Sequence, residues 1–342
     1  MLLYGGPFLL LASIPAFYYG FGAAGPLATI GLLLAALIGA EFISPRGDVI
    51  RGASNPGRYR ILFYVYVPLQ LASIAWALDR IAHTSVIGVF SLVISVGITT
   101  GVFGMLAAHE LVHSRSKGER VLGGIMLSGM SYRHFRIAHV HFHHRYAATE
   151  RDSATARLGE GFYLFLVRTI SGQFRESWQF ERARLNAKSI FANRAAFDLA
   201  VTLVLCAAIF AVWHWQGLAF FLVQSFVAIT VLELFNYIAH YGLTRRADFS
   251  GRLEPLADHH SWNSSNVLVN LLIFNMGRHS YHHRKPSASY QDLKYMRAAP
   301  ELPAGYAGSI LLALVPPLWR RVMDGRVLEQ RTGSVGEVRL AA

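Results

Sequence analysis

The chain has 342 residues, 53% of them hydrophobic and 15% charged, with a positive mean hydropathy and a formal net charge of +12. Its apolar residues gather in long runs, which excludes an ordinary soluble domain of this length. One cysteine, Cys206, excludes a disulfide, a zinc–cysteine cluster or an iron–sulfur site built from this chain alone.

Six apolar runs follow in order: 8–21, 27–43, 61–78, 86–108, 196–215 and 218–238. A span needs roughly 20 mainly apolar residues, and a helix satisfies its own backbone in lipid, so each run is predicted to cross the membrane. The expected fold class is all-α: a single polytopic membrane domain over 1–342, with six transmembrane helices and a cytoplasmic, histidine-rich cap. The start, Met1 to Tyr4, lacks a basic region, and no signal peptide is expected. Residues 22–25 form a tight outer turn, and 44–59, with Pro45, Gly47 and Pro56, form an inner loop. Segment 109–195 mixes polar, aromatic and arginine residues and suits amphipathic helices at the inner surface, with 121–130 buried or re-entrant. The last part, 239–342, is cytoplasmic, with an interfacial helix over 307–319.

Lysine and arginine fix the orientation. With a cytoplasmic N-terminus the outer loops hold one basic residue, Arg80, of the 32 in the chain, as the positive-inside rule requires. The basic balance therefore reads as topology and not as nucleic-acid binding, for which no recognition motif is present. An inner face this basic suits an acidic protein partner or anionic membrane lipid.

Chemistry enters where the fourth run ends. His109 and His113 lie in HELVH, four apart and so on one helical face. His139, His143 and His144 follow in HVHFHH, read as one face of a turn plus its neighbour. His240 sits in NYIAHYGL, at the end of the sixth run, and His279, His282 and His283 form HSYHH. Neutral imidazole suits iron, copper, zinc or nickel, and nine ligands suit two ions with positions left open. Glu110, Asp152, Glu233 and Asn236 are expected just behind the ligands; Asp258 is a further nearby carboxylate. A charge inside a span is expensive, and Glu233 shares a helix face with Asn236 and His240. His83, His134, His141 and His214 read as ordinary histidines, and His259 and His260 as structural or supporting groups. HELVH alone also fits a zincin pattern, but the further clusters argue against a protease.

These four clusters resemble, in order and spacing, the histidine boxes of the membrane alkane 1-monooxygenases and the related xylene monooxygenases, within the fatty-acid desaturase-like group. The family's HELxH matches 109–113, HxxxHH matches 139–144, NYxEHYG matches 236–242 and RHSxHH matches 278–283; the runs 152–166 and 260–265 also look family-like. The chain departs from the pattern at Ala239, where an acid is usual, at Ala138 and Phe142 in the second box, and at Tyr281, where aspartate is common. The resemblance implies two non-haem iron ions held by the nine histidines and dioxygen as co-substrate. It further implies hydroxylation of a terminal or benzylic methyl on a hydrophobic substrate. Electrons would come from rubredoxin or a ferredoxin-type donor with its reductase, in the bacterial inner membrane. Two alternatives stand beside it: a fatty acyl desaturase or lipid hydroxylase, and a non-catalytic metal-binding membrane protein.

Overall fold

A computed structural model describes residues 4–48, 56–186 and 190–340, the described residues contain no β-strand, and only isolated bridges occur among them. The first helices are α1 (Gly6–Phe21), α2 (Leu27–Ile43) and α3 (Pro56–Arg80). Residues 1–3 and 49–55, which carry the chain start and part of the expected inner loop, lie outside the described residues, as do 187–189. Helix α4 (Val86–Thr99) is capped by Ser85, whose hydroxyl accepts the Gly88 N–H. It runs through a π-helical stretch, Thr100–Gly104, into α5 (Met105–Val112).

Among the described residues three helices are long and apolar enough to cross a membrane: Tyr59–His83, Val86–Val112 and Arg194–His240. The expected fifth and sixth spans fall within one element, α10 (Arg194–His240). Its 47 residues would reach about 70 Å as one straight helix, over twice a hydrocarbon core. The element is broken at His214, where φ is 53° and the backbone leaves the helical region, next to the gap between the expected runs 196–215 and 218–238. Helices α1 and α2 are apolar but shorter, at 16 and 17 residues.

Small residues let α10 press against α4 and the π-helical stretch. A Cβ added at Gly101 would lie 2.5 Å from the Ala228 carbonyl oxygen, and one at Gly97 2.7 Å from the Val227 side chain. Polar groups buried here are paired: Gln70 Nε2 donates to Thr100 Oγ1 at 2.9 Å and the Tyr66 hydroxyl to Gln70 Oε1 at 2.8 Å.

The segment between the spans folds as α6 (Lys117–Ser128), α7 (Phe135–Ala138), a π-helical stretch His139–His143, α8 (His144–Tyr146) and α9 (Phe162–Arg184). Helix α6 packs on α5, and Met126 and Leu127 in the expected buried stretch are fully covered. Beyond α10 come α11 (Val267–Leu272), α12 (His279–Arg284), α13 (Gly305–Ala313) and α14 (Pro316–Leu340). The interfacial helix expected over 307–319 is thus two helices. Pro316 opens α14, where proline's missing N–H costs nothing because first-turn N–H groups have no partner within the helix.

Candidate metal centre

Each of the nine histidines is carried by an element that fixes its direction. His109 lies on α5 and His113 directly follows it; His240 is the last residue of α10; His279, His282 and His283 share α12. Arg278, buried in front of α12, donates to the Gly47 and Leu293 carbonyl oxygens and pairs with Asp48 at 3.1 Å, anchoring that helix. Just past His240 the chain turns at Gly242, whose φ of 68° favours glycine.

The rings gather into two neighbouring sets. His109, His113, His139, His144 and His282 offer ligand atoms within 4.8 Å of one another, and so do His143, His240, His279 and His283. The sets adjoin where the rings of His144 and His283 lie 4.7 Å apart, centroid to centroid. The second box is divided between them, in contrast to the single stripe expected for His139 and His143. Residues 139–143 are π-helical, and i→i+5 bonding brings His144 back over His139, with their Nε2 atoms 3.0 Å apart. His143 is turned to the other set.

These contacts fit metal ligands better than hydrogen bonds. His144 Nε2 lies 3.0–3.1 Å from the Nε2 atoms of His113, His139 and His282. One imidazole nitrogen offers a single proton or a single lone pair, so three such contacts cannot all be hydrogen bonds. Metal–nitrogen bonds of about 2.1 Å at right angles place their nitrogens about 3.0 Å apart. In the second set His279 Nε2 lies 3.0 Å from both His240 Nε2 and His283 Nε2. The Nε2 atoms of His109 and His143 are buried without a hydrogen-bond partner. The donor set therefore fits two late first-row transition ions.

Burial favours the ligand form. It holds His139, His144, His282 and His283 well below the ordinary imidazole range and His113 down at about 3, so these rings stay neutral with a lone pair available. His143 differs: burial pushes it down, but the charge and hydrogen bond of Asp152 outweigh that and raise it. Asp152 Oδ2 receives His143 Nδ1–H at 2.8 Å and the Thr155 hydroxyl at 2.6 Å.

The other expected supporting groups are less direct. Glu233, fully buried, accepts hydrogen bonds from Tyr132, Thr169, Gln173 and Asn236, and none from a ring of either set. Glu110 receives the Tyr290 N–H at 3.4 Å, and Asp258 pairs with Arg284. His141 stacks on Phe180 and His134 packs beside Tyr132, as suits ordinary histidines.

Among the described residues, an apolar cavity and a polar groove border the centre. One, narrow and about 40 Å³, is lined by Gly101, Val102, Leu106, Leu232, Phe235 and Ala239, and ends on His109, His139 and His279. The π-helical stretch that follows α4 supplies part of its wall, a feature the spacing of apolar residues did not reveal. The other, about 390 Å³, is a polar groove in which Arg120, Arg136, His141 and Arg194 surround the half-buried His113. Arg133 and Arg136 share Asp198, Arg184 and Arg194 share Glu181, and Arg120 donates only to backbone carbonyls, so positive charge is in excess.

Comparison with known proteins agrees with this geometry. The fatty acid desaturase family model matches residues 84–310. Alkane 1-monooxygenase 1 of Pseudomonas aeruginosa is 36% identical over 321 residues, covering 92% of this chain and 84% of that protein. The alkane 1-monooxygenase of Pseudomonas putida is 35% identical over 315 residues, 90% of this chain and 78% of that one. The xylene/toluene monooxygenase hydroxylase component XylM of Pseudomonas putida is 27% identical over 351 residues, 98% and 91% of the two chains.

Proposed function

This chain belongs to the fatty acid desaturase family, on the branch of the membrane alkane 1-monooxygenases, and from that premise we propose that it hydroxylates a terminal or benzylic methyl of a hydrophobic substrate at a histidine-held iron pair. It is an integral membrane monooxygenase. In our reading one iron takes His109, His113, His139, His144 and His282, and the other takes His143, His240, His279 and His283. Bound there, the pair supplies dioxygen activation, so that RH + O2 + 2e⁻ + 2H⁺ gives ROH + H2O. The observation that carries this reading is the meeting of four separate chain segments in two adjoining imidazole sets at the end of an apolar cavity.

The protein's own contribution is orientation and exclusion of water. Val102, Leu106, Leu232 and Phe235 grip an alkyl group and aim its end between His109, His139 and His279. With Ala239 in the wall, no carboxylate faces that end of the cavity from this position. Asp152 holds His143 with Nε2 free for the metal, as ligating histidines commonly require.

Six crossings also belong to this reading, with the two short helices and both arms of α10 counted as spans. The basic groove then opens to the cytoplasm and the membrane is the bacterial inner one. With a single cysteine the chain holds no thiolate cluster, so electrons arrive from a separate carrier of the rubredoxin or ferredoxin type with its reductase. An acidic carrier seated in the groove would lie against His113, a member of the five-histidine set.

Incubating iron-loaded membranes and a donor system with alkanes, alkylarenes and fatty acyl lipids tests the proposal. Primary alcohols from the first two are expected. An alkene from the acyl lipid would favour a desaturase, and full activity after metal stripping would overturn the reading.

A further inference from the structure

Segment 260–263, whose HSWN sequence has no part in binding or chemistry so far, lies across both elements that carry three of the four histidines of the smaller set. On one side it grips the end of α10. The His240 Nδ1–H donates to the His260 carbonyl oxygen at 3.3 Å. The Trp262 N–H donates to the Ala239 carbonyl oxygen at 2.8 Å, and its indole N–H to that of Tyr241 at 3.0 Å. Both neighbours of His240 are thus pinned by one tryptophan, which is buried.

On the other side the segment grips α12. Asn263 Oδ1 accepts the Ser280 N–H at 2.9 Å, and its Nδ2 donates to Ser280 Oγ at 2.6 Å and to the Ser261 carbonyl oxygen at 2.7 Å. The Ser280 hydroxyl donates in turn to the Asp258 carbonyl oxygen at 2.7 Å. Ser280 directly follows His279, so these bonds set where α12 begins.

The His260 ring shapes this clamp. The Ala257 N–H donates into His260 Nδ1 at 2.9 Å, which leaves the ring proton on Nε2, facing Glu254 at 3.3 Å. Glu254, His259 and His260 offer three donor groups close together, as a metal site would. An Nε2 that carries the proton has no lone pair to give, so His260 closes a turn and does not ligate.

We propose that residues 260–263 are a positioning clamp dedicated to the four-histidine set: His260 and Trp262 orient His240, and Asn263 orients His279 and the rest of α12. This rests on the metal-pair reading above. Among the described residues, only two of the nine rings hydrogen-bond to a group outside the sets, and both belong to the four-histidine set: His143 to Asp152 and His240 to His260. Loss of such outer contacts typically lowers metal affinity 10–100-fold.

The test is iron content and ⁵⁷Fe Mössbauer spectra of purified, iron-loaded protein, with no assay of activity. Wild type is expected to hold two irons per chain. His260→Leu and Asn263→Leu should each weaken one iron about 10–100-fold and leave the other. His260→Asn, whose side-chain oxygen can still accept the Ala257 N–H, should restore it. The five-histidine iron reports on folding in the same sample. Two irons held with unchanged affinity in both leucine variants would overturn the clamp, as would equal loss of both irons with no rescue by asparagine. A third metal lost on His259→Ala would overturn the His260 assignment, while a wild type without iron would overturn the metal-pair reading and the clamp with it.

Discussion

The two histidine sets sit side by side and are built differently. The four-histidine set is buried throughout, and two of its rings are oriented from behind by the Asp152 carboxylate and the His260 carbonyl. The five-histidine set has no such contact among the described residues. Its direction comes from helix geometry, His109 and His113 one turn apart and His139 and His144 superposed by a π-helical stretch, and two of its rings are half-buried, His113 beside the basic groove. One set is buried and clamped, reached through His279 by the narrow apolar cavity, and the other is partly open to the polar groove and self-arranged. The difference teaches that a ligand pair can be divided into a side for holding and a side for exchange with the surroundings.

The severest way to break this comparison is to remove a ligand from each side. His279→Ala and His109→Ala should each abolish oxygen-dependent hydroxylation in membranes where the chain still inserts. In purified protein each should lose one iron, and not the same one, as read by Mössbauer spectra. If both substitutions emptied both positions equally, the two sets would not be separate units.

A smaller effect should come from the open side alone. Arg120→Glu reverses a charge in the groove that has no carboxylate partner. The KM for an acidic donor should rise about tenfold and the rate should become less sensitive to salt, because rim charges act on encounter. Steady-state kinetics with the donor varied at two ionic strengths checks this. An unaltered KM would move the docking surface elsewhere.

The clamped side should show the mildest effect, in its pH response. Burial, and then the Asp152 charge, raise Glu176 to about 7. Its folded value lies above the unfolded one, so this carboxyl binds an extra proton in the folded metal-free protein between about pH 4.5 and 7, and its own contribution to stability is lost as pH rises through that window. The ligand imidazoles, held low by burial, act the opposite way and raise the melting temperature of iron-free protein with pH, so Glu176→Gln should steepen that rise between about pH 4.5 and 7. An unchanged slope in that variant would assign the response to another group.

Much of this architecture was legible from residue type and spacing. Long apolar runs marked the helices, and nine histidines in four clusters marked residues that do come together. Asp152 was legible because it is a carboxylate just beyond the second cluster. The division of the sets was not, since helical spacing put His139 and His143 on one stripe and only a π-helical register sends His143 away. Glu233 looked aimed at the metals because it shares a face with His240. The fold instead surrounds it with four donors, three of them from Tyr132, Thr169 and Gln173, residues far from it in sequence. The clamp was only partly legible: His260 read as a structural or supporting group within the family-like run 260–265, but the contacts of that loop with the ends of α10 and α12 follow no periodic pattern.

Anomalous scattering at the iron edge from crystals of iron-loaded protein tests the central claim most directly. Two peaks are predicted, one among His109, His113, His139, His144 and His282 and the other among His143, His240, His279 and His283. A single peak, or one at Glu254, His259 and His260 with the nine rings empty, would contradict it.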